Sequence, residues 1–303
     1  MDWITGIQVA INYIEDHLTE ELDYDLIAGE SFSSSSHFQR IFSILCGYTL
    51  GEYIRNRRLT LAGADLASGK EKVIDIALKY GYDSPDSFTK AFQKFHGITP
   101  SQARSNGNLL RSFSRLSIKI SLEGGTMMNY RIETKPEMTL LGYKRHFSGA
   151  PFGDARYEQE GNFFMTTRAS QWMLTGITND KRSQYCVLTN MDDDGYDFYI
   201  AVTTHPYERE NLYNPKVTGI DFMDKFNFEF LTLPATTYAV FETEKQRMPI
   251  PEYFELRKRI VSEWLVSSEY QLADAPEIAV YRGLECGGKE RFIEIWIPIV
   301  AKK

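Results

Sequence analysis

The feature that most constrains this chain is an internal repeat. Displaced by 50 residues, the N-terminal region matches itself without a gap: Asp25 falls on Asp75, Ser34 on Ser84, Phe38 on Phe88, Phe42 on Phe92, Gly47 on Gly97 and Thr49 on Thr99. Phe32/Tyr82 and Arg40/Lys90 are conservative matches. A gapless repeat means one supersecondary unit used twice. In the second copy, Val73, Ile76, Ala77 and Tyr80 form a helical stripe. Gly81 suits the left-handed residue that ends a helix, and Ser84-Pro85 reads as an N-cap followed by proline at the first helical position. Phe88, Ala91, Phe92 and Phe95 then make the buried stripe of a second helix, which Gly97 ends, and Thr99-Pro100 opens another. In the first copy Phe38, Ile41, Phe42 and Leu45 keep the same spacing and Gly47 closes the helix. Ser33–Ser36 reads as turn and cap, with a capping box over Ser36-His37-Phe38-Gln39. A helix over roughly 50–66, carrying Ile54, Leu59, Leu61 and Leu66, joins the two units.

Two helix–turn–helix units suit one task in particular. Such a unit turns its apolar stripe inward and lays its second helix in the DNA major groove. Removing the buried stripe leaves Ser35, Ser36, Gln39, Arg40 and Ser43 facing outward in the first copy. In the second copy it leaves Asp86, Ser87, Thr89, Lys90 and Gln93. Arg and Lys can read guanine, Gln adenine, and Asp can accept from cytosine. Arg55, Arg57 and Arg58 suit phosphate contacts, which position without reading sequence. Two such helices on one chain predict a bipartite operator, with successive major-groove segments about 34 Å apart. The competing reading is a pair of helical hairpins that bind protein. Net charge is −7, yet residues 31–107 carry ten basic and six acidic residues, while residues 1–30 hold eight acids and no Lys or Arg. The charge distribution permits DNA binding without requiring it.

The segment from Asp75 through Ser101, with Gly81, Ser84-Pro85, Phe88, Phe92, Gly97 and Thr99-Pro100, resembles the C-terminal signature of the AraC/XylS regulators. His37-Phe38-Gln39-Arg40-Ile41-Phe42 resembles the matching helix of their first unit. The first unit departs from the pattern in having Ser31 at the repeat position of Gly81, with Phe32 next. The resemblance, over about residues 5–105, implies seven helices and sequence-specific binding of double-stranded DNA, and leaves RNA polymerase open as a further partner.

Beyond a boundary region within 105–126 the pattern changes to period two. The expected division is a DNA-binding domain over 1–107, a linker over 108–126 and an effector-binding domain over 127–303. The last is an α+β domain built from a duplicated β-α-β-β pattern. Residues 130–147 and 228–242 both read strand, proline (Pro136 or Pro234), strand. Helices over 162–174 and 251–265 follow, and then hairpins turning at Asp192-Asp193-Asp194-Gly195 and around Gly287-Gly288. The last strand is the most informative. Ile293, Ile295, Ile297 and Ile299 share one face; Phe292, Glu294 and Trp296 share the other. A carboxylate between aromatics makes a poor core and a plausible receptor for a cationic or amphipathic molecule. The alternative is an exposed sheet face with Glu294 solvated. Tyr143, Trp172, Tyr238 and Tyr281 are candidate walls of a cleft between the halves.

The pattern ending in Glu294-Ile-Trp-Ile-Pro-Ile299 resembles the gyrase-inhibitor-like effector-binding domain. That likeness implies an inward-facing acid on the last strand, here Glu294, contacting a small, often cationic and lipophilic effector. Two alternatives stay open: a C-terminal domain that binds a protein partner, or one that hydrolyses a small molecule with a Glu294 whose pKa is raised by burial. No nucleophile–base arrangement, phosphate loop or metal-ligand spacing stands out, so neither cofactor nor metal is expected. Three scattered cysteines and no long apolar run point to a cytoplasmic protein with no membrane partner.

Overall fold

A computed structural model describes residues 3–29, 35–105, 108–117, 127–151, 154–178, 180, 182–192, 195–204, 214–283 and 290–302. Ser31–Ser34, Asp193-Asp194 and Gly287-Gly288 lie outside these residues. The chain divides into two compact units, one helical and N-terminal, the other built on a sheet. Among the described residues no helix is long and apolar enough to cross a membrane.

The helical unit holds α1 (Trp3–Asp16), α2 (Tyr24–Gly29), α3 (Ser35–Cys46), α4 (Leu50–Ser68), α5 (Val73–Lys79), α6 (Pro85–His96) and α7 (Pro100–Ala103). The repeat is visible in its caps. Thr49 and Thr99 each accept from the backbone three residues on and close a capping box, with Glu52 and Gln102. Ser84 caps α6 with Pro85 at its first position, and Gly81 and Gly97 take the left-handed conformation at φ 78° and 79°. One expectation shifts: α3 already includes Ser35, so Ser36 lies inside the helix rather than capping it. Leu45 stands 42% exposed instead of closing the stripe.

Helix α4 carries the second unit on one side. Leu59, Ala62 and Leu66 pack with Ile76, Ala77, Phe88 and Phe92 in one core. His96 fixes α6 on α4 by a contact that only a glycine admits, since a Cβ at Gly63 would lie 2.8 Å from the imidazole. The Nδ1 atom of His96 accepts from the Arg111 backbone N–H at 3.1 Å, so Nε2 carries the proton and donates to the Leu59 carbonyl at 2.9 Å. The segment 108–117 continues along α4. The Phe113 backbone N–H donates to Thr60, and its ring packs edge-on against Tyr48 and Tyr53.

The second unit holds β1 (Tyr130–Lys135), β2 (Met138–Ser148), α8 (Asp154–Thr166), α9 (Arg168–Ile177), β3 (Ser183–Thr189), β4 (Gly195–Thr203), α10 (Pro215–Thr218) and α11 (Phe222–Phe226). It continues with β5 (Glu229–Leu233), β6 (Thr236–Glu242), α12 (Ile250–Arg259, running on as a π-helix over Ile260–Leu265), β7 (Tyr270–Leu272), β8 (Glu277–Arg282) and β9 (Phe292–Ala301). The duplicated halves are present; the single helix expected over 162–174 is instead two, α8 and α9, interrupted at Thr167, and α10, α11 and β7 are additions to the expected pattern. Among the described residues eight antiparallel strands run β1-β6-β9-β8-β3-β4-β2-β5, and β7 pairs with the end of β9.

That order has a geometric consequence. Strands β1 and β2 stand six places apart, roughly 29 Å across a flat sheet. Only Pro136-Glu137 joins them, a reach of about 11 Å. The same holds for β5 and β6, joined by Pro234-Ala235. The sheet must therefore curl until its edges meet. Gly142 permits the bend on β2, because a Cβ there would fall 2.5 Å from the Ile200 carbonyl oxygen and 2.6 Å from the Ala201 Cβ. The outer face, with Ile295, Phe241 and Tyr143, takes the helices through Phe163 of α8 and Trp264 of the π-helix. The inner face buries Tyr185, Tyr199, Tyr238 and Trp296 among aliphatic residues.

Beneath the helices lies a buried polar network. Arg156 on α8 bonds Glu160, the Pro151 carbonyl and the Tyr253 hydroxyl; Arg257 on α12 grips Glu277 with two nitrogens and shares the same Pro151 carbonyl. One helix of each half is thus tied to the other through fully satisfied charges.

Two outcomes follow. Arg257→Met strands the Glu277 carboxylate, 2% exposed, without its guanidinium. Urea denaturation of the full chain, followed by tryptophan fluorescence, should show a loss of about 3–5 kcal/mol, most of it recovered in Arg257→Met/Glu277→Leu. Burial lowers the pKa of His96, opposed only by its bond to Leu59, so the unfolded chain takes up a proton first as the medium acidifies. The stability of the helical unit is full above about pH 6.5 and falls as pH drops from there through the lower folded value. Thermal melts across this range should show that slope, and His96→Gln should flatten it.

Candidate effector site and DNA-reading helices

In α6, Asp86, Ser87, Lys90 and Gln93 are exposed and Thr89 half-buried, so the whole expected set reaches the surface. Ser87 is partly engaged in the cap, donating through its hydroxyl to the Ser84 carbonyl. In α3, Ser35 and Gln39 are half-buried and bonded to one another, while Arg40 and Ser43 are buried, at 7% and 5% exposure. The side chain of Ser36 lies outside the description.

Of the three arginines expected to meet phosphates, only Arg55 is exposed. Arg57 forms a two-pronged ion pair with Glu15 of α1 at 2.8 Å and donates to the Phe113 carbonyl. The Tyr53 hydroxyl joins the same carboxylate, and burial's tendency to raise the Glu15 pKa is outweighed by these partners, which hold it low. Arg58 donates to the Leu18 and Glu20 carbonyls, and its guanidinium would lie 2.8 Å from a Cβ at Gly81, so it spans from the end of α1 to the turn of the second unit. Arg57 and Arg58 are struts within the domain; their expected phosphate role is corrected accordingly.

In the second unit, strand register decides which aromatics meet Glu294. On the inner face Glu294 sits opposite Val280 and Glu242, with Trp296 two residues on, opposite Ile278 and Val240. Tyr238 lies opposite Pro298 and stacks at a tilt on Trp296, 5.7 Å between centroids. Tyr185 meets the same indole edge-on at 6.1 Å. Phe292 is at the half-buried rim, with the Lys245 ammonium 5.7 Å from its ring. Tyr143 and Tyr281 are not brought to this face. Tyr281 is paired with Ile293 and Tyr143 with Ile200, which puts both on the helix-covered side, against Phe164 and Phe163. Trp172 stands on α9 and is 73% exposed. Tyr185 and Tyr199, absent from the expected set, belong to the inner face.

The Glu294 carboxylate is 6% exposed and fully engaged. Arg282 donates to Oε2 through two nitrogens at 3.2 and 2.8 Å, the Trp296 indole N–H reaches the same oxygen at 3.1 Å, and Arg131 of β1 donates to Oε1 at 2.7 Å. Burial alone would raise its pKa; Arg282, Arg131 and the indole outweigh burial and hold the carboxyl below its usual range. Arg131 also bonds Glu133 and Glu242, so three carboxylates converge on one guanidinium. Lys135, two strand turns along β1 from Arg131, bonds Glu133 and holds its ammonium 4.5 Å from the centroid of the Trp296 ring. A second polar group lies further along the same face, where Asp197 accepts from Lys144, His146 and Asn190. Among the described residues no group of His, Cys, Asp or Glu has the arrangement of a metal site.

Comparison with known proteins assigns both units. Residues 27–106 match a helix-turn-helix domain, and residues 131–299 match the integron-associated effector binding protein family. The transcriptional activator AarP of Providencia stuartii is 47% identical over 92 residues, 30% of this chain and 68% of that one. The right origin-binding protein of Escherichia coli K12 is 31% identical over 168 residues, 54% of this chain; the chain spans only 57% of that relative's length. A bacterial transcription regulation protein from Staphylococcus aureus MU50 aligns with 57% of this chain and 99% of its own at 17% identity and a TM-score of 0.42, a level that says nothing of function. With one match covering more than half of its length and the other shared with AarP, the chain belongs to the AraC-type helix-turn-helix transcription regulators that carry an effector-binding domain.

Proposed function

We propose that this protein is a cytoplasmic, effector-responsive regulator that reads DNA chiefly through α6 and takes up a small lipophilic cation on the inner face of its curled sheet. The observation that carries the reading is the Glu294 carboxylate, buried beside an indole and kept ionised. A buried charge of this kind persists only where positive charge meets it; Arg282 and Arg131 supply that charge, and a cation that takes the place of one of them meets the same carboxylate beside the same indole. The aromatic walls are then Trp296, Tyr238 and Tyr185, with Phe292 at the rim. For DNA, what supports α6 is its exposed row of Asp86, Lys90 and Gln93 beside Thr89. Arg40 and Ser43 of α3 serve the same role in a bipartite site once they are uncovered. RNA polymerase is the partner through which such a regulator acts on transcription. The hydrolase alternative needed a Glu294 with a raised pKa; here the shift is downward.

Fluorescence anisotropy with DNA from upstream of the protein's own gene, or with a site selected from a random pool, tests the first half. Lys90→Ala and Gln93→Ala should each weaken specific binding by about 1–3 kcal/mol. Arg55→Ala should weaken specific and non-specific binding alike and reduce the salt slope by about 1. Full specific affinity in both α6 variants would remove that helix from the reading role.

Tetraphenylphosphonium and tetraphenylborate share size and shape and differ in the sign of a delocalised charge. Tryptophan quenching in the full chain should report the cation and not the anion, and Glu294→Gln should lower the cation's affinity about tenfold or more, at least 1.4 kcal/mol. Since Arg282 and Arg131 hold the Glu294 carboxyl below its usual range, cation binding should stay level through neutral and mildly acidic pH and decline only as pH falls past the carboxylate range. Equal binding of both ions, or none, would defeat the assignment of the face.

A further inference from the structure

We infer that Arg131 and Lys135 of β1 are the specificity-determining residues of the inner face: they are resident cations, holding the two positions a cationic effector needs, and an effector binds by displacing them. The inference rests on the reading of this face as a cation site.

Both positions are filled from one strand. Arg131 bonds Oε1 of the Glu294 carboxylate, and Lys135 lies over the Trp296 ring. Residues 131, 133 and 135 alternate onto the same face, so the two cations and Glu133 form one row. Glu133, Glu242 and Glu294 are matched by Arg131, Lys135 and Arg282, which leaves the cluster neutral and gives a passing cation no unpaired charge to find. The two occupants differ from Arg282 in how they are held. Among the described residues strand β1 pairs on one side only, with β6. The side chains of Arg131 and Lys135 are 40% and 26% exposed, so both have a path to water; Arg282, at 28%, is set apart by its anchoring and not by its exposure. Arg282 is anchored from the centre of the sheet on β8, with a further bond to Ser183 at 2.6 Å.

Displacement sets the selectivity. A released Lys135 or Arg131 regains hydration, while the incoming cation gives up its own. A compact ammonium is as strongly hydrated as the lysine it would replace and gains nothing by the exchange. A cation whose charge is spread over several rings loses little hydration, buries more apolar surface and recovers the contact with the indole. An anion or a neutral molecule cannot take over from the residents, because Glu294 would be left without part of its countercharge. Discrimination in favour of lipophilic cations therefore comes from competition with two side chains of the protein.

The test uses the full chain as wild type, Lys135→Met and Arg131→Met, with Lys216→Met as a control for net charge; Lys216 is exposed on α10. Titration with tetraphenylphosphonium should show binding to Lys135→Met about tenfold tighter than to wild type, or more, with Lys216→Met within twofold. Tetramethylammonium should bind measurably only where a resident is missing. Arg131→Met should act in the same direction; if removing the hub of three carboxylates unfolds the domain, Lys135→Met carries the test alone. Reductive methylation read by mass spectrometry adds a direct view of displacement. Lys135 should react slowly in the free protein and faster when tetraphenylphosphonium saturates the wild type. Equal or weaker binding to Lys135→Met, an equal gain in Lys216→Met, or Lys135 reactivity unchanged on binding each overturns the resident-cation proposal while leaving the cation site in place. Failure of every form to bind the cation overturns the site and the proposal together.

Discussion

The closure of the sheet is the constraint on which the C-terminal unit depends. Two connections of two residues each, both containing a proline, join strands that lie six places apart. Proline cannot donate to a ladder and sets its own φ, so Pro136 and Pro234 end β1 and β5 cleanly and leave no slack for an open sheet. Once the sheet curls, its inner face is buried by its own strands rather than by a second layer. Aromatic and aliphatic side chains together fill that volume, and any polar group caught there must be paired. Glu294 is caught there. Its two arginines and the indole N–H are therefore a requirement of the fold before they are anything to do with a ligand.

The helical unit solves a similar problem with the same residue type. Helix α4 runs between the two repeated units, and its arginines hold the parts together. Arg57 reaches back to Glu15 of α1, and Arg58 reaches from the end of α1 to the turn at Gly81. Arginine suits this work because its planar fork can meet several acceptors at once and stays charged. A cluster of basic residues in a DNA-binding domain is thus divided between contacts made inside the protein and those left for phosphate, and exposure separates them: Arg55 is free of such ties among the described residues, whereas Arg57 and Arg58 are not.

What could be read from the sequence was what depends on near neighbours. The caps at Ser84 and Thr99, the left-handed glycines and the helical stripes are all settled within a few residues, and the repeat gave several of these signals twice. The alternation of β9 identified Glu294 and Trp296 on one face and the isoleucines on the other. Pairings across the chain left no local trace. Nothing near Arg57 signals Glu15. Nothing within β8 says whether Tyr281 or Val280 shares a face with Glu294; that is decided by the β8–β9 register, and a slip of one residue reverses it. The short α10, α11 and β7 carry too few residues for a period to show.

The duplication also makes plain what the two halves do not share. Superposing Pro136 on Pro234 places Arg131 on Glu229 and Lys144 on Glu242. Arg131 pairs with Glu242, and Lys144 lies 3.8 Å from Glu229, so the same cross-strand ion pair occurs twice with its charges exchanged. The partner directly opposite Glu242 on the next strand is Glu294; the one opposite Lys144 is Tyr199, whose ring lies under the lysine. One half therefore gathers carboxylates around a guanidinium, and the other places an ammonium over a phenol ring. A symmetric fold builds the curled face, but a binding site needs a direction. These exchanges supply it at little structural cost, since each swap keeps an ion pair at the same place in the ladder. The asymmetry at Glu294, rather than the shared architecture, is what the proposed preference of the inner face for positive charge rests on.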